Sequence, residues 1–194
     1  MIKIAIFASG NGSNAENIIK YFRNSDSVKT ELVLSNNPNA FVLERARKLS
    51  VDTMVFGRKE LYETFEVIDI LVERAIDFIV LAGFMWLVPK ELTDLYKGKI
   101  VNIHPALLPK YGGKGMYGMN VHKAVLAAKE RETGITIHLV DEKYDNGQII
   151  FQAKCPVLPG DTPETLAQRV HELEYKYYPL IIEQLTKNLT HKNQ

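Results

Sequence analysis

Asn102, Ile103, His104 and Pro105 stand together at the end of an apolar run, KIVNIH (99–104), that reads as a strand. Side chains two residues apart on a strand share a face, so the Asn102 amide and the His104 imidazole point the same way. The carboxyl end of a parallel strand is where open α/β sheets place their ligands. An amide N–H suits a developing oxyanion, and an imidazole gives or takes a proton near neutral pH. A lone His-Pro at a strand end often does no more than anchor a loop, so its companions matter. They are Thr136-Ile137-His138, followed by Asp141 and Asp145-Asn146-Gly147. An Asp beside a turn glycine commonly serves the turn alone, and that reading of Asp145 stands beside the chemical one. His138 lies on an alternating strand and fits a core histidine, an orienting group or a water ligand. His122, His171 and His191 show no metal-ligand spacing, and no zinc site is expected.

A second candidate follows the first apolar run directly: Gly10-Asn11-Gly12-Ser13-Asn14, opening a helix. A glycine-rich strand-to-helix turn lets backbone N–H groups approach a phosphate at the positive helix end. A turn without a ligand has the same composition. The dinucleotide fingerprint is not matched, because Ala15 occupies the place of its third glycine and no acidic residue ends the second strand. A monophosphate site is the better expectation.

These residues need a scaffold. Apolar runs at 2–8, 31–35, 53–56, 77–82 and 99–104 alternate with helical patterns at 14–23, 40–49 and 59–75, and another helix begins near Pro89. Strands apolar throughout imply burial on both faces, hence a parallel sheet covered by helices. The fold class expected is α/β, doubly wound, with a mostly parallel sheet. After Pro105 the chain changes character, and Gly112, Gly113, Gly115 and Gly118 punctuate a long loop of the kind that is functional or mobile. Residues 120–130 look helical, GITIHLV (134–140) and QIIFQAKCPV (148–157) form a late antiparallel pair, and a C-terminal helix capped at Thr162 runs to about 186.

The 194 residues suit one domain, expected at 1–188 with a tail at 189–194. Within it, 1–100 is expected to be a nucleotide-phosphate-binding half and 101–188 a catalytic half that holds the second ligand. Lys and Arg total 24 against 23 for Asp and Glu, so nothing global draws the chain to nucleic acid or anionic membrane. Cys155 is the one cysteine and reads as a small buried hydrophobe. No run approaches the roughly 18 apolar residues of a spanning helix, and MIKIAIFASG lacks the pattern of a signal peptide. A cytoplasmic protein is expected.

The pieces GNGSN (10–14), Ser35-Asn36, AFVLERAR (40–47), VLAGFM (80–85), NIHPALLPKY (102–111) and ITIHLVDEKYDNG (135–147) together resemble the formyltransferase family, in particular its folate-dependent branch in purine synthesis. The resemblance implies a Rossmann-like formyltransferase fold in which the amine of glycinamide ribonucleotide attacks the formyl carbon of the co-substrate 10-formyltetrahydrofolate. No metal is implied, and the oligomer would be a monomer or a homodimer. It carries the oxyanion-donor role onto Asn102, proton transfer onto His104, and the holding of a charged histidine and an ordered water onto Asp145. For His104 to donate a second proton it must be charged at working pH, and the Asp145 carboxylate is expected to raise its pKa. Gly12, Ser13 and Asn14 become the phosphate cradle, with Glu174 facing the sugar hydroxyls or amine. Phe84, Met85, Leu87, Val88 and the stretch Val140, Asp141 to Asp145 become the pteridine pocket, Trp86 and Asn102 join them as folate-binding residues, and Lys59, or alternatively Arg58, stands at the folate carboxylate. Trp86 departs from the pattern, since relatives often carry Arg there. The stretch Gly112 to Gly118 is longer than the Pro-Gly turn of many relatives, and His171 and Tyr175 replace side chains that flank the phosphate elsewhere.

Two rival enzymes share the signature. A formyltransferase acting on initiator methionyl-tRNA would carry a second, basic domain, and a formyltetrahydrofolate hydrolase a segment ahead of the first strand; neither is expected here. A non-enzymatic nucleotide-binding module would explain the fold and GNGSN, but not Asn102, His104 and Asp145 occurring together.

Overall fold

In the computed structural model, which describes residues 1–192, the apolar runs lie side by side as the strands of a sheet. In chain order the elements are β1 (Ile2–Phe7), α1 (Ser13–Phe22), β2 (Val28–Ser35), α2 (Phe41–Lys48), β3 (Asp52–Val55), α3 (Arg58–Tyr62), α4 (Glu66–Glu73), β4 (Phe78–Leu81), α5 (Lys90–Leu95), β5 (Ile100–His104), α6 (Met119–Ala127), β6 (Glu132–Leu139), β7 (Ile149–Pro156) and α7 (Pro163–Lys192). The strand order is β3-β2-β1-β4-β5-β6-β7. Pairs from β3 to β5 are parallel, and β5·β6 and β6·β7 are antiparallel.

Alternation along β1 divides the interior. Ile4 and Ile6 pack in a core with Ile18 of α1, Val42 of α2 and Tyr178 of α7. Ala5 and Phe7 face a second core built on Leu61 of α3, Leu71 of α4 and Leu92 of α5. Helices therefore cover both faces, as unbroken apolar strands require. The direction of winding changes between β1 and β4, which opens a crevice at the carboxyl ends of those strands.

Two helices differ from the sequence expectation. The span 59–75 is two helices, α3 and α4, separated where Phe65 adopts a left-handed φ of 60°. At 100° per residue an unbroken helix would set Leu61 and Val67 about 120° apart on its surface. Both are buried in the same core, and the break allows it. The last helix runs to Lys192 rather than 186, so much of the expected tail 189–194 is helical, and residues 193–194 lie outside the described residues. Pro179 sits inside this helix and cannot donate to the carbonyl of Tyr175, four residues back. Asn17 Nδ2 of α1 supplies that bond at 2.9 Å, so the irregularity ties α7 to α1 beside the glycine loop. The hydroxyl of fully buried Tyr178 donates to Leu81 O (2.8 Å) and Val101 O (3.2 Å), pinning α7 across the ends of β4 and β5.

Candidate active site

The crevice holds a cavity of about 570 Å³. Its lining comes from the loop after β1 (Gly10 to Asn14), the loop after β4 (Ala82 to Val88), the end of β5, the 113–119 loop, the turn after β6 and the start of α7. Each half of the expected division feeds both sides of it. Phe84 to Val88 join Val140 to Asp145 on one side, and Asn14 joins Glu174 on the other.

At its centre the antiparallel register sets Asn102 opposite His138 and His104 opposite Thr136. Asn102 Nδ2 donates to His138 Nε2 at 3.1 Å and approaches Asp145 Oδ1 at 3.4 Å. His138 Nδ1 lies 2.8 Å from Leu139 O; a carbonyl only accepts, so Nδ1 carries the proton and Nε2 receives the Asn102 amide. The same logic fixes His104: its Nε2 donates to Tyr111 O at 2.7 Å, leaving Nδ1 to face Asp145 Oδ2 at 3.5 Å. Asp145 adopts a left-handed φ of 50° and accepts the Gly113 N–H at 2.9 Å. The turn that carries it closes tightly at Gly147, where a Cβ would meet Leu139 O at 1.8 Å. Asp145 thus serves the turn and also stands between His104 Nδ1 and His138 Nε2, 3.5 Å from each.

Charge in this cluster runs against the expectation for His104. Burial pushes its pKa below the ordinary value, and the attraction of Asp145 offsets only part of that. Asp145 is itself raised by burial, but the contacts with His138, His104 and Gly113 outweigh it and leave the carboxyl below its usual range. The pair is a carboxylate facing a neutral imidazole. The expected pull of Asp145 is present, but the residue is 3% exposed, and desolvation of the cation exceeds that attraction and the hydrogen bond to Tyr111 O together.

The scaffold beneath is a buried polar knot. Thr136 Oγ1 donates to Ala106 O (2.7 Å) and accepts from Leu108 N and Gln152 Nε2 (2.9 Å each), while Gln152 also donates to Leu108 O (3.0 Å). These bonds fix residues 106–108 and, through them, the segment carrying Tyr111.

On the α1–α7 side, Gly12 has φ 75°, and a Cβ there would lie 2.3 Å from Val42 Cγ2. Glycine is required by packing as well as by conformation. The first-turn amides of α1 have no partner within the helix, and Gly12, Ser13 and Asn14 line the crevice. Arg45 latches the loop: its Nε donates to Asn11 O and its Nη2 to Asn11 Oδ1, each at 3.0 Å, and it pairs with Glu16. Asn14 Nδ2 and His171 Nδ1 both reach Glu174 Oε2 at 2.7 Å. The hydrogen bond to Glu174 raises the pKa of His171 despite burial, which favours its charged form beside the expected phosphate cradle.

The opposite side is aromatic. Phe84 packs edge-on against Phe7, and Trp86 lies against Phe56 and Tyr62. The Tyr62 hydroxyl donates to Leu87 O (2.8 Å) and Met85 N donates to Ser9 Oγ (3.0 Å), which hold the 85–88 segment in place. Val88 is buried, and Val140 packs against the same cluster. Both Asp141 oxygens are engaged within the turn, by Lys143 N (2.9 Å) and Asn146 Nδ2 (2.7 Å). Lys59 is exposed and does not line the cavity, whereas Arg58 does, with its guanidinium 4.8 Å over the Trp86 ring. Neighbouring residues on a helix point about 100° apart, so only one of the two can face the crevice. Trp86 thus carries the Arg58 guanidinium on its ring at the edge of the cavity. Met116 and Tyr117 also line the cavity, and their one sequence signal is the glycine-rich loop that carries them; His122 lines it from α6, where the sequence showed only that it lacks metal-ligand spacing. Among the described residues no group of three His, Cys, Asp or Glu side chains is placed to hold a metal ion, and no helix is long and apolar enough to cross a membrane.

Comparison with known proteins gives the same outline. The formyl transferase family model matches residues 2–182. The phosphoribosylglycinamide formyltransferase of Haemophilus influenzae is 39% identical over 192 residues, which cover 96% of this chain and 88% of that protein. The chloroplastic phosphoribosylglycinamide formyltransferase of Arabidopsis thaliana is 41% identical over 187 residues, covering 93% of this chain but 64% of the plant protein. The crystal structure of phosphoribosylglycinamide formyltransferase from Anaplasma phagocytophilum superposes with a TM-score of 0.87 at 35% identity, over 96% of this chain and 88% of that one.

Proposed function

We propose that this chain, which belongs to the formyl transferase family, transfers the formyl group of 10-formyltetrahydrofolate to the amine of glycinamide ribonucleotide in purine biosynthesis. The observation that carries this is the meeting of two unlike sides at one reaction centre. A glycine loop and helix terminus backed by Glu174 suit a phosphoribosyl group, and an aromatic wall with Arg58 at its edge suits a pterin with a carboxylate tail. Asn102, His104 and Asp145 lie between them.

The amine attacks the formyl carbon, and its bond to folate N10 breaks when the tetrahedral adduct collapses. Asn102 is the oxyanion donor. Its 3.4 Å approach to Asp145 is long for a hydrogen bond and is the one it gives up, while the 3.1 Å bond to His138 keeps the amide oriented. One proton must leave the attacking amine and one must reach N10, and the His104–Asp145 pair moves it. His104 starts neutral, and as it takes the proton Asp145 stabilises the imidazolium at 3.5 Å. Release of the Tyr111 carbonyl from Nε2 frees that N–H for the adduct, so the 105–118 segment moves during turnover. Phosphate binds the 12–14 amides, and Arg58, not Lys59, meets the folate carboxylate. Residues 1–188 act as one unit, in the cytoplasm, on small molecules rather than nucleic acid or membrane.

The test is direct: purified protein mixed with both substrates should release tetrahydrofolate without added metal or ATP. No turnover, or turnover abolished by EDTA, refutes the assignment.

A further inference from the structure

One buried histidine on the cavity wall has no part in the steps above. His122 stands on α6, which packs against α7, and is 2% exposed while bordering the cavity. Its Nδ1 is buried with no hydrogen-bond partner, and so is Oδ1 of Asn14, another cavity-lining residue. Unpaired buried polar atoms are costly and rare in folded proteins, so two of them bordering one cavity mark where a ligand's polar groups belong.

The surroundings say which part of a ligand that is. The charges that act on the His122 ring are those of His171 and Glu174 on α7 and of His104 at the reaction centre. The ring is thus within electrostatic reach both of the cradle side, where Asn14 and His171 meet Glu174, and of the histidine that handles the proton, and it lines the same cavity as they do. In a molecule with its phosphate on the 12–14 amides and its amine at Asn102 and His104, the part in between is the sugar. Burial pushes the His122 pKa below the ordinary value, so the ring is neutral and offers one donor and one acceptor. A hydroxyl is the group that matches either.

We propose that His122 is a recognition residue for the ribose of the substrate, binding a sugar hydroxyl through the ring nitrogen left unpaired. This rests on the ribonucleotide assignment above and adds a residue to its sugar site.

Calorimetric titration of wild type, His122→Phe and His122→Asn with four probes tests it: glycinamide ribonucleotide, ribose 5-phosphate, inorganic phosphate and a non-reactive folate analogue. The phenylalanine variant should bind the ribonucleotide and ribose 5-phosphate about tenfold more weakly, the loss of one hydrogen bond. Inorganic phosphate and the folate analogue should stay within about twofold, and the asparagine variant should recover part of the sugar affinity. Thermal unfolding should not fall, since an apolar ring replaces a polar atom that has no partner. If the phenylalanine variant does not fold, His122→Leu carries the same expectation. Unchanged ribonucleotide affinity, or an equal loss for phosphate or for the folate analogue, overturns the proposal. Wild type that binds the folate analogue but not the ribonucleotide overturns the functional assignment itself.

Discussion

Asp145→Asn keeps the size of the side chain and removes its charge. In the structure Oδ2 lies 3.5 Å from His104 Nδ1, with the two side chains 11% and 4% exposed. At an effective dielectric constant near 20, a unit charge pair at that distance attracts by about 5 kcal/mol, and even in bulk water by about 1 kcal/mol. That attraction opposes the burial that depresses His104, so its removal should lower the His104 pKa further. Proton transfer is worth about 10²- to 10⁴-fold, and activity at neutral pH should fall within that range. Part of it should return as the pH is lowered, until protonation of the substrate amine or loss of stability limits the rate. The stability effect has its own sign. Asp145 has a depressed folded-state pKa, so its contribution is present above the ordinary aspartate value near pH 4 and is lost as pH falls through the lower folded value. Wild type and variant should therefore converge in stability in acid. NMR titration of His104 in both proteins reads the electrostatic step directly, and an unchanged or raised pKa in the variant would leave Asp145 as a turn residue only.

Asn102→Ala should lower kcat by about 10²-fold or more, the cost of one oxyanion donor; a change confined to KM would make it a substrate-binding group instead. Arg58→Ala should weaken folate binding about ten- to a hundredfold, as expected for a charge-assisted bond worth about 1.5–3 kcal/mol, with ribonucleotide binding unchanged. Lys59→Ala should do neither, and equal losses from the two variants would contradict the Arg58 assignment. Thr136→Val takes the donor from Ala106 O and the acceptor from Leu108 N in a residue with no exposure. It should destabilise the protein by about 2–5 kcal/mol, read as a drop of about 2–4 °C in Tm per kcal/mol; a Tm within a degree or two of wild type would show that water or rearrangement replaces the knot.

What the sequence made legible were features set by period and by residue type. Unbroken apolar strands pointed to a parallel sheet covered on both faces, and two-residue spacing put Asn102 and His104 on one side of β5; the fold has both. Features set by what covers a residue were not legible. The span 59–75 reads as one helix, yet Leu61 and Val67, about 120° apart on such a helix, reach one core only because the chain breaks at Phe65, and the window holds no glycine or proline to announce it. Trp86 read as the loss of a guanidinium, whereas the fold brings Arg58 onto its ring from a separate helix. The charge on His104 is the clearest case. An aspartate in the signature argues for a cation, and the carboxylate is indeed 3.5 Å away. But attraction to one partner is a local term, while desolvation integrates everything packed around the ring, and it exceeds both that attraction and the hydrogen bond that Nε2 donates to Tyr111 O. The resting protonation state of this histidine is therefore a property of the cover over it. Any movement that rewets the ring without taking away the Tyr111 carbonyl, whose hydrogen bond itself favours the charged form, shifts the balance towards the cation that Asp145 is placed to hold.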